Sequence, residues 1–166
     1  MKWYEGLLTV TVALLVYRWL RSAAAGEGRR PGRPDEAGPA EGGEYALEAL
    51  ERASEAEPGN ATFHAWRGRA LLELGRHADA LAAFERACSL SPRNPSHPCG
   101  RGEALLELGR HADALAAFER ARSLDPVAPE PHAQMARALR LLGRHDEAAA
   151  ALGRAAELAL SGKAPA

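Results

Sequence analysis

The stretch ALLELGRHADALAAFERA occupies Ala70–Ala87 and returns, letter for letter, at Ala104–Ala121. The offset from 70 to 104 is 34 residues. A fixed period of that size marks a stack of like units, none of which can bury its apolar face alone. Carried outward, the same phase divides the chain into units 61–94, 95–128 and 129–162. Gly68 returns as Gly102 and then as Ala136; Leu71 as Leu105 and Leu139; Ala80 as Ala114 and Ala148. Gly75, Gly109 and Gly143 are unchanged. Phe84 returns as Phe118 and Leu152, and Ala87 as Ala121 and Ala155. Pro92 and Pro126 close two units, and Leu160 stands in that place in the third.

Each recurring residue has a physical reason. Small side chains at Gly68 and Ala80 let two antiparallel helices approach closely. Gly75 ends the first helix, because glycine reaches left-handed φ at low cost. Asp79 falls in the first turn of the second helix, where the helix dipole favours negative charge. Phe84 is the large knob between helices, and Pro92 stops the second helix.

This pattern resembles the tetratricopeptide repeat, with Gly at the eighth position, Ala at the twentieth and twenty-seventh, Phe at the twenty-fourth and Pro at the thirty-second. The resemblance covers about two-thirds of the chain, in three consecutive units. It implies an all-α fold, a right-handed superhelical stack of antiparallel helix pairs. The family's Trp near the fourth position is replaced by His64, Pro98 and His132. Pro98 is expected to delay its helix by a turn. Before the first unit, EYALEALERASEAEP puts Ala46, Leu50, Ala53 and Pro58 in phase with a second helix. Residues 44–60 therefore read as a half-repeat whose lone helix, about Glu44–Ala56, caps the stack. After the third unit the sequence reads as a short tail, 163–166, and no polar capping helix is expected there.

The N-terminal segment reads differently. From Trp3 to Leu20 it is apolar apart from Glu5 and Arg18, with Trp3, Tyr4, Tyr17 and Trp19 at its two ends. As a helix at about 1.5 Å per residue it would span roughly 27 Å, enough for a thin bilayer, with aromatic rings at the headgroup level. Three readings compete: a retained anchor over 1–21, a signal cleaved near Ala23-Ala24-Ala25, and a soluble or partner-bound helix. Arg18 and Arg21 lie between the apolar core and the cleavage site, which favours the anchor. Arg18, Arg21, Arg29, Arg30 and Arg33 follow the span, against Lys2 before it. Positive flanks stay cytoplasmic, so the repeats are expected on that side of a single-pass membrane protein. Residues 22–43 are dense in Gly and Pro without apolar period, and are expected to form a flexible linker.

Composition narrows the function classes. The net charge is −1 and aromatics make up 5% of the 166 residues. That balance gives no case for nucleic acid. The two cysteines, Cys88 and Cys99, form no CxxC pair; they are expected as free thiols, with a mutual contact the alternative. His77, His111 and His145 recur at the repeat period and are spread one per unit, so they do not gather as a metal site. His64, His97 and His132 lack a ligand spacing. No phosphate loop and no nucleophile elbow occur. The reading is a non-enzyme without cofactor or metal.

A binding surface is the better candidate. First helices line the concave face of such stacks. By phase that face holds Thr62, Ala65, Arg69 and Glu73; then Ser96, Cys99, Glu103 and Glu107; then Glu130, Ala133, Arg137 and Arg140. Its charge trends basic toward the third unit. Family members that grip an acidic chaperone C-terminus use a Lys-x₃-Asn carboxylate clamp. Ala65, Arg69 and Glu103 occupy the matching places here, and only Arg137 suits an anion. The expectation is an adaptor that presents a protein or peptide groove near a membrane. The alternatives are an assembly subunit that self-associates through the last helix, and a secreted or periplasmic repeat protein released by signal cleavage.

Overall fold

The computed structural model describes residues 39–161. The expected anchor (1–21), most of the linker and the tail 163–166 lie outside them. Among the described residues no helix is long and apolar enough to cross a membrane. Seven helices and no strand make up this part: α1 (Pro39–Ala56), α2 (Ala61–Glu73), α3 (His77–Leu90), α4 (Ser96–Glu107), α5 (His111–Leu124), α6 (Pro129–Leu141) and α7 (His145–Ser161). Each helix packs on the next. In addition α2 touches α4 and α4 touches α6, so the first helices of the units form a continuous row.

The corners between paired helices are built alike. Gly75, Gly109 and Gly143 hold φ of 74°, 74° and 75°. The Gly75 amide donates to the Leu72 carbonyl at 3.0 Å, and the Arg76 amide to the Leu71 carbonyl at 2.8 Å. This pair of bonds closes a helix whose last carbonyls would otherwise lack donors. The same two bonds recur at Gly109 and Gly143. Beyond each corner an arginine pairs with an acid in the next first turn: Arg76 with Asp79, Arg110 with Asp113 and Arg144 with Glu147.

The apolar core runs through the stack as two clusters. Leu47, Leu71, Ala80, Ala83, Phe84 and Ala104 form one. The other spans units two and three and includes Leu105, Ala114, Phe118, Ala121, Ala136 and Leu139. Phe118 is fully buried. A Cβ on Gly68 would sit 2.8 Å from the Phe84 ring, and one on Gly100 or Gly102 would also collide with a phenylalanine ring. The glycines therefore make the seats for the two rings.

Three expectations need correction. Helix α1 begins at Pro39, so the last part of the expected 22–43 linker, residues 39–43, is helical. Gly43 is buried, and a Cβ there would lie 2.8 Å from Leu74 Cδ2. That close contact with the first unit overrides the poor helix propensity of glycine. Pro98 does not delay α4 by a turn; the helix starts at Ser96. A proline in the first turn removes an N–H that has no intrahelical acceptor anyway. Leu152, which its repeat register with Phe84 and Phe118 would set against the preceding helices beside Ala155, is 46% exposed while Ala155 is buried. Its counterpart Phe84 rests on Gly100 of the following unit, and no such unit covers Leu152 among the described residues.

Candidate protein-interaction groove

The row of first helices holds a groove of about 350 Å³ between α2 and α4, reaching the start of α6. Its lining includes Thr62, Ala65 and Arg69 from α2, Ser96, Cys99 and Glu103 from α4, and Glu130 from α6. Most of the residues expected on the concave face are thus brought together. The others lie outside it. Glu107 and Arg137 pair with each other at 2.8 Å farther along the row. Glu73, Ala133 and Arg140 are exposed outside the lining.

Two capping residues hold the helix starts. The Asn60 side chain accepts from the Thr62 amide at 3.1 Å, and Asn94, 34 residues later, accepts from the Ser96 amide at 3.0 Å. An asparagine oxygen here satisfies one of the orphan amides of a first turn. Asn94 also lines the groove.

Electrostatics set the groove's preference. Arg69 donates to Glu103 at 2.7 Å across the unit boundary. This is a partial neutralisation, because Glu103 is well shielded and Arg69 is half-exposed. Burial pushes the Glu103 carboxyl above its usual range; Arg69 opposes that and Glu130 adds to it. Partial desolvation raises Glu73 too, although its side chain remains exposed, with Arg69 opposing. Cys99 is pushed up to about 12, chiefly by burial and then by Glu130 and Glu103. The thiol is therefore protonated at neutral pH and poorly nucleophilic. Cys88 and Cys99 are both free.

Five members of the lining were not among the residues expected from the sequence: Trp66, Phe84, Asn94, His97 and Gly100. Trp66 supplies an aromatic wall, edge-on to Phe63 with centroids 6.0 Å apart. It shares the helical stripe of Thr62, Arg69 and Glu73, so spacing alone could have found it. His97 is buried, and burial lowers its pKa, opposed by the Ser91 and Ala87 carbonyls. Among the described residues no group of three or more His, Cys, Asp or Glu could hold a metal ion.

A family model described as tetratricopeptide repeat matches residues 44–95 and 99–165, well over half of the chain. The chain belongs to the tetratricopeptide-repeat family. No curated protein matches this repeat chain in sequence. Among solved structures it is similar to MamA 41-end from Desulfovibrio magneticus RS-1, at 19% identity and a TM-score of 0.69, covering 74% of this chain and 69% of that one. It is similar to a thermophilic TPR protein in Thermus thermophilus, at 27% identity and a TM-score of 0.65, covering 70% and 66%. A third similar structure is the first TPR of Spaghetti bound to an HSP90 peptide, at 22% identity, a TM-score of 0.58, and coverage of 59% and 78%. These likenesses establish the helical stack; TPR chains of this kind mediate protein–protein interaction.

Proposed function

We propose that this TPR protein is a membrane-anchored adaptor, held by residues 1–21 with its repeats on the cytoplasmic side, that seats a peptide segment in the α2–α4 groove. The observation that carries the reading is the convergence of Ala65, Trp66, Arg69, Cys99, Glu103 and Glu130 on one groove. The ligand differs from an acidic C-terminus. The groove's arginine already contacts Glu103, and Glu130 adds a second carboxylate. An apolar side chain against Trp66 followed by a basic one near Glu130 is the matching chemistry.

A photo-cross-linking residue in place of Ala65 in the full-length protein tests the groove. It should capture a partner, and Glu130→Arg should abolish capture. Capture unchanged by Glu130→Arg sinks the proposed chemistry. Carbonate-resistant membrane association with an intact N-terminus is expected of the anchor; a mature chain starting near Gly26 contradicts it. The sequon Asn60-Ala61-Thr62 reports sidedness, since glycosylation there would place the repeats in a lumen.

A second reading rests on α7. Leu152 and Leu160 are 46% and 73% exposed, and Ala149 and Ala156 are exposed beside them. A second copy docking there would make the protein an assembly subunit. Concentration-dependent oligomers that disappear with Leu160→Glu would support it, and a monomer at every concentration would remove it.

A further inference from the structure

The unit boundaries are not equivalent on the side away from the concave groove. Glu51 of α1 lies 3.7 Å from Arg67 of α2, and Glu85 of α3 lies 3.7 Å from Arg101 of α4. These ties are 34 residues apart and stitch each second helix to the next unit. In the third register the acid persists as Glu119, but the arginine's place is taken by Met135. Glu119 has no ion-pair partner there among the described residues. In the same register Cys88 is replaced by Arg122 and Pro98 by His132.

At this boundary a second groove of about 350 Å³ lies between α5, α6 and α7. Leu115, Met135 and Leu139 of the core cluster form its floor, each with only a small edge exposed, and Ala150 and Ala151 lie along one wall. Its charges are arranged end to end. Arg144 and Glu147 neutralise each other at 2.6 Å, and Glu119, which also lines the groove, lies toward this end within electrostatic reach of Arg144. At the other end Arg122 and Arg154 stand close enough to His132 to help depress its pKa, after burial, which is the larger cause. Arg154 is shared with the exposed Glu157, and Arg122 makes no ion pair among the described residues.

We propose that this outer groove is a docking site for an acidic amphipathic segment of a partner protein, which seats an apolar side chain on Met135 and a neighbouring carboxylate at Arg122 and Arg154. The charge pattern selects that occupant. A basic segment would meet two arginines at the end where a carboxylate finds charge-assisted donors. At the earlier boundaries the place of Met135 is held by Arg67 and Arg101, which pair with Glu51 and Glu85.

Methionine occurs only at Met1 and Met135, so the Met135 methyl is a nearly unique reporter. Full-length protein in detergent, labelled at the methionine methyl, is titrated with a helical peptide of leucines at i, i+3, i+4 spacing and glutamates between. A peptide with lysines in place of the glutamates is the control. The glutamate peptide should shift the Met135 methyl, the lysine peptide should not, and Arg122→Glu should weaken binding by about tenfold or more. Met135→Arg restores the residue found at the earlier boundaries, so it should fold and yet block the peptide. An unmoved Met135 signal, equal binding of the two peptides, or undiminished binding by Arg122→Glu or by a folded Met135→Arg protein overturns the proposal.

Discussion

Gly102 and Gly153 are both helix-interior glycines, and their surroundings differ completely. A Cβ on Gly102 would strike the ring of Phe118, which is fully buried, whereas nothing lies within 4 Å of a Cβ on Gly153. The same substitution should therefore act with opposite sign. Gly153→Ala should stabilise by about 0.5–1 kcal/mol through helix propensity. Gly102→Ala should destabilise by about 1–3 kcal/mol through overpacking. Chemical denaturation of the two variants checks both. The glycine–phenylalanine seat was half legible in the sequence. Gly68 and Gly102 stand out by period, but Gly100 does not recur, and only packing shows that it holds Phe84 from the far side. The imidazoles of His97 and His132 were invisible as a pair, because burial and not spacing unites them. Both have pKa values below the ordinary 6.5, mainly from burial. A depressed folded-state pKa contributes stability that is full above 6.5 and lost as pH falls through the folded value. Thermal melts should decline as pH is lowered from 7.5, and His97→Gln with His132→Gln should flatten that decline.

At the scale of the helix, the repeat period specified where elements start and stop, since Gly75, Gly109 and Gly143 recur at invariant spacing. It did not specify how deeply each element is covered. Helix α5 buries Ala114, Leu115, Ala117, Phe118 and Ala121, while α7 buries only Ala148 and Ala155. Local opening follows coverage, so residues 148–161 should exchange amide hydrogens well before 114–124. Hydrogen exchange read by mass spectrometry distinguishes the two peptides. Equal protection would mean that α7 is covered by something beyond residues 39–161. Seven residues of the α2–α4 groove were legible for the same reason as the helices, because phase places them on the first helices. The Met135 groove was not, because a lost tie is noticed only once Arg67 and Arg101 are seen to make it.

Across the whole molecule, the units share side chains at every boundary, so they cannot respond independently. Phe118 belongs to a cluster that draws on α4, α5, α6 and α7. Phe118→Ala should cost about 3–5 kcal/mol and broaden or lower the melting of the entire stack, not of one unit. An unchanged melting curve would contradict the packing described.

A chain that repeats itself also risks pairing with the wrong copy of itself. The helix pairs containing 70–87 and 104–121 share an identical stretch of eighteen residues, so a collapsing chain could dock that stretch one unit out of step and bury much the same surface. The charges on the first helices make that error detectable. Arg69, Glu103 and Arg137 occupy one repeat position with alternating sign. In the native order Arg69 meets Glu103 and Arg137 meets Glu107. Skipping a unit would set Arg69 beside Arg137, a repulsion in place of an attraction. At equilibrium an exposed pair such as Arg137–Glu107 is worth only about 0–1 kcal/mol, and the Arg69–Glu103 pair, with its shielded carboxylate, contributes more. Their larger consequence is kinetic, as a proofreading mark for register while the chain assembles. Glu103→Gln, which removes the alternation of sign without setting two arginines together, should therefore refold with an added slow phase, and single-phase refolding of that variant would show that the identical segments are kept in order by something else.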